Sequence, residues 1–353
     1  MSDTTQELLV IRAAVADDVD QMVEISTMTG SGMTSMPSDH QSWVDKLDRS
    51  IADFQRDEPK KNGDTYFLVM EDLNTGKIVG SGAVYVGIGL DRPFYSYKLS
   101  TIAASSKKLD LTVHTRILSL VNDFTGTTEI GSLFLMPEYR RDGIGKYLSR
   151  SRFLMLADFP ERFDETVFAE MRGWLDENDN SPFWDNLGHK FFGLSFQEAD
   201  YISAVDGFQF ISDLMPKSPV YLDLLAEEAQ EVVGKPHDAA AGAFHILKKE
   251  GFAYSGYVDI FDAGPSVQTP LNKIKTVAES RAVTLGMILS DCDAVEKESY
   301  IASNSRLKDY RMMRTPLLQI EDDQVAMTES AAEALKLNVG DAMRIVKEQQ
   351  TFE

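Results

Sequence analysis

Leu133-Phe134-Leu135-Met136-Pro137-Glu138-Tyr139-Arg140-Arg141-Asp142-Gly143-Ile144-Gly145-Lys146 decides the reading of this chain. An apolar run suited to a buried strand (residues 129–135, EIGSLFL) enters a short loop holding two arginines. Two glycines then open a segment whose apolar positions Ile144, Tyr147, Leu148, Phe153 and Leu156 recur at roughly helical spacing. Glycine lets backbone N–H groups approach an anion closely, a helix N-terminus carries partial positive charge, and Arg140, Arg141 and Lys146 add full charges. Together these features suit a pyrophosphate; the alternative is an ordinary strand–turn–helix with solvated arginines. A Walker loop is excluded, because Arg140 stands where it needs glycine and Tyr147 where it needs Ser or Thr. Leu148 likewise breaks a G-x-G-x-x-G fingerprint.

Outward from this segment the chain alternates strands and helices. Residues 8–12 (LLVIR) predict a strand, and residues 16–28 a helix with Asp17 and Asp18 in its first turn. Residues 29–37 (TGSGMTSMP) predict a loop, and residues 39–54 a second helix capped by Ser38. Residues 65–71 and 77–86 flank an Asn74 and Gly76 turn and predict an antiparallel hairpin. A further strand is expected within residues 95–103, a helix over 143–159, a strand over 166–171 and a helix over 182–192. Residues 208–214 suit either a strand or a helix. Helices are expected over 220–233 and over 238–250, the latter ending at a left-handed Gly251, followed by a strand over 254–261. Signals weaken from Pro265 onward, apart from a β-rich end in which residues 343–346 follow the turn Asn338-Val339-Gly340-Asp341.

A chain of 353 residues predicts two domains, or one large fold with an appendage. With 35 basic against 56 acidic residues the net charge is −21, which repels a phosphate backbone and excludes nucleic acid as the main partner. The single cysteine, Cys292, forms no internal disulfide and offers no zinc cluster, as a reducing cytoplasm permits. The apolar stretches fall short of the roughly 20 residues a membrane span needs, and the N-terminus lacks a signal peptide's basic start and apolar core. A cytoplasmic protein without a membrane partner is expected. H-E-x-x-H and G-x-S-x-G are both absent, so neither metal nor serine-hydrolase chemistry is indicated.

Arg140-x-x-Gly143-x-Gly145 after an apolar strand resembles the coenzyme A pyrophosphate signature of the GNAT acyltransferase superfamily, and Ser181-Pro182-Phe183-Trp184-Asp185-Asn186-Leu187-Gly188 resembles its following strand–helix unit. More narrowly the chain resembles the arginine/ornithine succinyltransferase family. The matching stretches are residues 29–37, Ala169-Glu170-Met171-Arg172-Gly173, residues 181–192, Leu214-Met215-Pro216-Lys217, Glu228-Ala229-Gln230 with His237, and Lys249-Glu250-Gly251-Phe252 with Asp259-Ile260-Phe261-Asp262. They spread over residues 8 to about 282 in the family's order. In the family a proline follows the histidine; here Pro236 precedes it and Asp238 follows.

The resemblance implies an α/β (α+β) GNAT-like fold, with a mixed, mostly antiparallel sheet flanked by helices. It implies an acyl-CoA-binding part over residues 1–195, a second α/β part over 196–282 carrying the acid/base histidine, and a small β-rich segment over 283–353. The implied activity is transfer of succinyl from the co-substrate succinyl-CoA to the α-amino group of L-arginine by direct attack, with no permanently bound cofactor. His237 is the match for the family's acid/base, and imidazole suits a group that both accepts and donates a proton near neutral pH. Leu133, with Leu135, matches the strand whose backbone pairs with the pantetheine amides. Glu170 and Arg172 share one strand face at spacing two. They suit a guanidinium and a carboxylate of the substrates, or pair with each other. Thr29 and Thr34 belong to a small polar loop able to close over the amino acid, or merely linking two helices. Ornithine or another amine as acceptor, acetyl-CoA as donor, and a non-catalytic CoA-binding subunit remain open. So does self-association or pairing with a related second subunit.

Overall fold

Strand β6 (Thr128–Leu135), the apolar run of the deciding segment, lies inside a sheet that takes in every strand described. The computed structural model describes residues 8–29, 33, 35–60, 63–141, 143–206, 209–290 and 298–348. Thr34, with Gly30, Ser31 and Gly32 of the same loop, and Cys292 lie outside the described residues.

The N-terminal elements are β1 (Leu9–Ala13), α1 (Val19–Ser26), α2 (His40–Gln55) and the hairpin β2 (Thr65–Asp72) and β3 (Lys77–Val86). A longer hairpin follows, β4 (Ser96–Ser106) and β5 (Leu111–Val121), then β6, α3 (Ile144–Asp158) and β7 (Thr166–Glu170). After these come α4 (Pro182–Asn186), α5 (Gly188–Phe192), α6 (Phe196–Asp206), α7 (Gln209–Leu214), β8 (Val220–Tyr221), α8 (Glu227–Val232) and α9 (Ala241–Lys249). The remainder is β9 (Ala253–Val258), β10 (Pro265–Pro270), α10 (Lys275–Glu279), β11 (Arg281–Leu289), β12 (Glu298–Ser303), β13 (Arg311–Glu321), β14 (Gln324–Thr328), α11 (Glu329–Leu335) and β15 (Ala342–Lys347).

The sheet is mixed and mostly antiparallel, as expected; among the described pairings only β6–β7 and β11–β14 run parallel. Strand order is β12-β15-β11-β14-β13-β1-β2-β3-β6-β7-β10-β9-β4-β5-β8. An additional β12–β13 pairing closes the first five strands around a core that includes Leu285, Met313 and Met343. Trp43, Leu47 and Phe67 pack α1 and α2 on one sheet face, while α3 covers the other through Leu148, Leu154 and Leu156.

Several local expectations need correction. Asp39, rather than Ser38, caps α2, its side chain accepting from the Ser42 N–H at 2.8 Å. The 182–192 helix breaks at Leu187, where Gly188 lies so close to Trp184 that a Cβ would stand 2.3 Å from its ring. The amphipathic pattern over 220–233 is α-helical only at Glu227–Val232, after a 3₁₀ turn at Leu222–Leu224, because Val220 and Tyr221 pair with Leu118 and Ile117 at the sheet edge. There sheet pairing overrides helical periodicity. Strand β9 stops at Val258, since the Asp259 carboxylate takes the N–H groups of Phe261 and Asp262 into a turn. Gly251 does take the left-handed conformation, with φ +101°. Residues 209–214 are helical; β5, α6 and β10 had no counterpart in the sequence reading, and β11 through β14 were foreseen only collectively, as a β-rich segment over 283–353. Among the described residues no helix is long and apolar enough to cross a membrane.

Candidate active site

The site begins where two parallel strands part. β6 and β7 pair only at Thr128↔Val167 and Glu129↔Phe168. Beyond that point Ala169 and Glu170 pair with β10, and β6 stays on β3. A bulge assists the parting: Ser132 has φ +48°, unusual for a side-chain-bearing residue. Its carbonyl accepts from Ser81 Oγ at 3.0 Å, and its hydroxyl meets the Tyr85 hydroxyl at 2.6 Å. Between the parted strands lies a cleft of about 800 Å³. The facing edge of β6 leaves backbone groups for an extended ligand to pair with, as if adding a strand.

At one end of the cleft the basic loop turns into α3. Pro137 starts a single 3₁₀ turn, and Arg140 is then held by donation from Nε to the Leu135 carbonyl at 2.9 Å, its guanidinium 5.8 Å from the Phe134 ring centre. Arg141 donates to the Glu138 carbonyl. Gly143 is left-handed at φ +72°, and a Cβ there would meet nothing closer than 3.6 Å, so its conformation rather than space calls for glycine. Leu133, Leu135, Arg140, Arg141, Gly143 and Gly145 all line the cleft. Lys146 does not: the helical rotation carries it toward Arg150, Glu250 and Glu348, the charges that act on its ammonium.

At the other end the wall is acidic. Glu129, Glu170, Asp259 and Asp262 line it. Asp262 is fixed by the N–H groups of Gly173 at 2.7 Å and Gly264 at 2.8 Å. Glu170 Oε1 is buried without a hydrogen-bond partner, and burial together with Asp259, Glu129 and Asp262 pushes its carboxyl well above the usual range. Burial also raises Glu129, to about 7, against the opposing pull of Lys46. Such a wall suits a cation, which restores its carboxylates to the charged form.

His237 reaches the cleft through a long-range contact. Gly173 and Pro236 form an antiparallel bridge, Trp174 N donates to the Lys235 carbonyl at 3.1 Å, and His237 N donates to the Arg172 carbonyl at 2.8 Å. His237 Nδ1 accepts from the Ala239 N–H at 3.1 Å. That bond places the neutral ring's proton on Nε2. Burial and the Arg172 charge lower the imidazole pKa, so the ring is neutral at pH 7. Arg172 has Asp179 as its ion partner at 3.8 Å rather than Glu170, and its buried Nε has none. The internal Glu170–Arg172 pair is therefore absent. Thr29 lines the cleft; Thr34 is not among the described residues.

Several cleft residues were missed by the sequence reading. Glu129 opens an apolar strand and Arg152 ends the polar run Ser149-Arg150-Ser151, with no spacing to mark either as a ligand group. Phe196, Asp200 and Ser203 come from the unforeseen α6. Asp259 and Asp262 lay within a matching stretch but drew no role. His40 and His245 lie outside the cleft lining; His40 faces Asp20 at 3.3 Å on the surface. Phe183 and Trp184 are core, whereas Phe191 is 44% exposed. Among the described residues no group of three or more His, Cys, Asp or Glu could hold a metal ion.

The chain is similar to known proteins over nearly its whole length. A model of the arginine N-succinyltransferase beta subunit family matches residues 9–276, and one of that subunit's C-terminal domain matches residues 286–347. An arginine N-succinyltransferase of Citrobacter koseri is 36% identical over 342 residues, covering 96% of this chain and 98% of that protein. One from Enterobacter sp. is 37% identical with the same coverage. The solved structure of arginine/ornithine succinyltransferase subunit AI from Pseudomonas aeruginosa matches with a TM-score of 0.87 at 32% identity, covering 97% of this chain and 99% of that one.

Proposed function

The chain belongs to the arginine N-succinyltransferase family and is an acyltransferase, and from that premise we propose that it transfers succinyl from succinyl-CoA to the α-amino group of L-arginine. The observation that carries this reading is one cleft with a basic loop at one end and a carboxylate wall beside a histidine at the other. Arg140, Arg141 and the α3 N-terminus at Gly143 and Gly145 hold the pyrophosphate. The free edge of β6 at Leu133 and Leu135 pairs with the pantetheine amides. Glu170 receives the guanidinium of the acceptor, Arg172 its α-carboxylate, and Thr29 borders the amino acid. On a division of the chain at about residues 195 and 282, residues of the first two parts both line the cleft, with β9 and β10 of the second seated in the sheet between β7 and β4 of the first.

The amine attacks the thioester carbonyl directly. The C–N bond forms as the C–S bond breaks, one amine proton is shed, and sulfur leaves as a thiol. His237 serves as acid/base. The neutral ring acts first as base, Nδ1 releasing the Ala239 N–H and taking the proton that the amine sheds; the imidazolium so formed then returns a proton from Nε2 to the departing sulfur and is neutral again. Binding both substrates at once makes the step effectively unimolecular and needs no covalent enzyme intermediate.

Thiol release from succinyl-CoA tests the reading, with L-arginine, ornithine and lysine as acceptors and acetyl-CoA as alternative donor. Release with succinyl-CoA and arginine is expected. CoA binding without release to any amine favours a non-catalytic subunit.

A further inference from the structure

Arg152 carries a charge that the protein leaves unanswered. It lies on α3, is 2% exposed, and borders the cleft where β6 passes Gly131. Neutral acceptors alone meet its guanidinium. Nη2 donates to Ser149 Oγ at 2.9 Å, while the bonds from Nε to the Ser149 carbonyl and from Nη1 to the Gly131 carbonyl are both stretched to 3.4 Å. Among the described residues no carboxylate stands within ion-pair distance of it. Arg150, two residues earlier and equally buried, has Glu250 at 3.4 Å and Thr276 Oγ1 at 2.8 Å. Gly82 of β3 makes the room: a Cβ there would press to 3.3 Å from Arg152 Cδ. Burial draws the guanidinium pKa down to about 10, so the group remains cationic at neutral pH.

A buried unpaired cation is costly, and a protein that makes space for one beside a ligand cleft leaves its counter-charge to the ligand. Position tells which part of the ligand that is. Arg152 lies seven residues beyond Gly145, about 10 Å along the helix axis from the pyrophosphate loop. That is the direction in which an acyl-CoA arm runs along β6 toward the point where β6 and β7 part. What reaches Arg152 is the acyl end of the donor.

Resting on the acyltransferase reading above, we propose that Arg152 binds the distal carboxylate of a dicarboxylic acyl group, and so selects succinyl-CoA over donors of equal length that lack the charge. The planar guanidinium offers two parallel N–H donors to a carboxylate, replacing the stretched bonds it makes now. Butyryl-CoA, with four acyl carbons and no carboxylate, leaves the cation buried and unpaired.

The test compares thiol release from succinyl-CoA and butyryl-CoA, with L-arginine as acceptor, in the full-length wild type, Arg152→Met and Arg152→Lys. The wild type is expected to favour succinyl-CoA by about 100-fold or more in kcat/KM. Arg152→Met should lose about 100-fold with succinyl-CoA and keep its butyryl-CoA rate within about 3-fold, with KM for arginine unchanged. Its Tm should not fall, because an uncompensated charge has been removed. Equal use of both donors by the wild type, or an equal loss on both donors in Arg152→Met, overturns the proposal while the acyltransferase reading stands. Should Arg152→Met fail to fold, Arg152→Lys decides: a retained succinyl preference supports the assignment, and an equal loss on both donors refutes it. Turnover of neither donor by the wild type overturns the acyltransferase reading itself, and this proposal with it.

Discussion

Replacing Glu129 with glutamine should make the protein relatively more stable at alkaline pH, and the structure sets the size of the effect. Burial in the acidic wall lifts the Glu129 carboxyl from an ordinary 4.5 to about 7. The folded state therefore holds a proton that the unfolded chain has already released across that interval, so stability falls as pH rises from about 4.5 to about 7. A shift of that size corresponds to about 3 kcal/mol, and solvent entering the open cleft reduces it to about 2 kcal/mol. Glu129→Gln removes this term and also relieves Glu170, whose carboxyl Glu129 helps to raise. Urea unfolding of both proteins at pH 5 and pH 8 measures it. The wild type should lose about 2 kcal/mol relative to the variant between the two pH values. Parallel curves for the two proteins would refute the argument. L-Arginine should narrow the gap at pH 8, because a guanidinium against the wall favours the ionised carboxylates.

Other substitutions bear on other parts of the account. Gly143→Asp places a carboxylate beside the pyrophosphate and strains a backbone at φ +72°; CoA affinity measured by calorimetry should fall at least about 10-fold. Arg172→Gln should raise KM for arginine about 10- to 100-fold, with little change in KM for succinyl-CoA in steady-state assays. His237→Ala should lower kcat by about 100-fold or more while CoA binding, read by calorimetry, stays as in the wild type. Asp39→Ala removes the cap bond to Ser42 at 2.8 Å and should cost about 1 kcal/mol in urea unfolding, with activity unchanged.

The parts legible in the sequence are those built by local signals. The hairpin of β2 and β3 followed from the Asn74 and Gly76 turn, and the strand, basic loop and helix around Arg140 followed from glycine spacing and apolar periodicity. Long-range pairing stayed hidden. Nothing near Val220 announces that it joins β5 about a hundred residues earlier, so its amphipathic pattern suggested a helix. Nor do the residues of β13 signal that one of its edges will meet β1. The same holds at the site. His237 was found through resemblance, but its place beside Arg172 depends on the bridge between Gly173 and Pro236. Glu129 opens an apolar strand that marks core, and Arg152 ends a polar run that reads as a solvated helix face. Helix α3 is buried on nearly all sides, so its polar residues Ser149, Arg150, Ser151 and Arg152 are interior groups rather than a solvated face.

A crystal structure of the protein with CoA and L-arginine tests the central claim most directly. The pyrophosphate should lie against Arg140 and Gly143, the pantetheine arm between β6 and β7, and the guanidinium against Glu170 with the α-amino group facing the thiol near His237. CoA seated away from the parting of β6 and β7, or arginine bound outside the acidic wall, would contradict it.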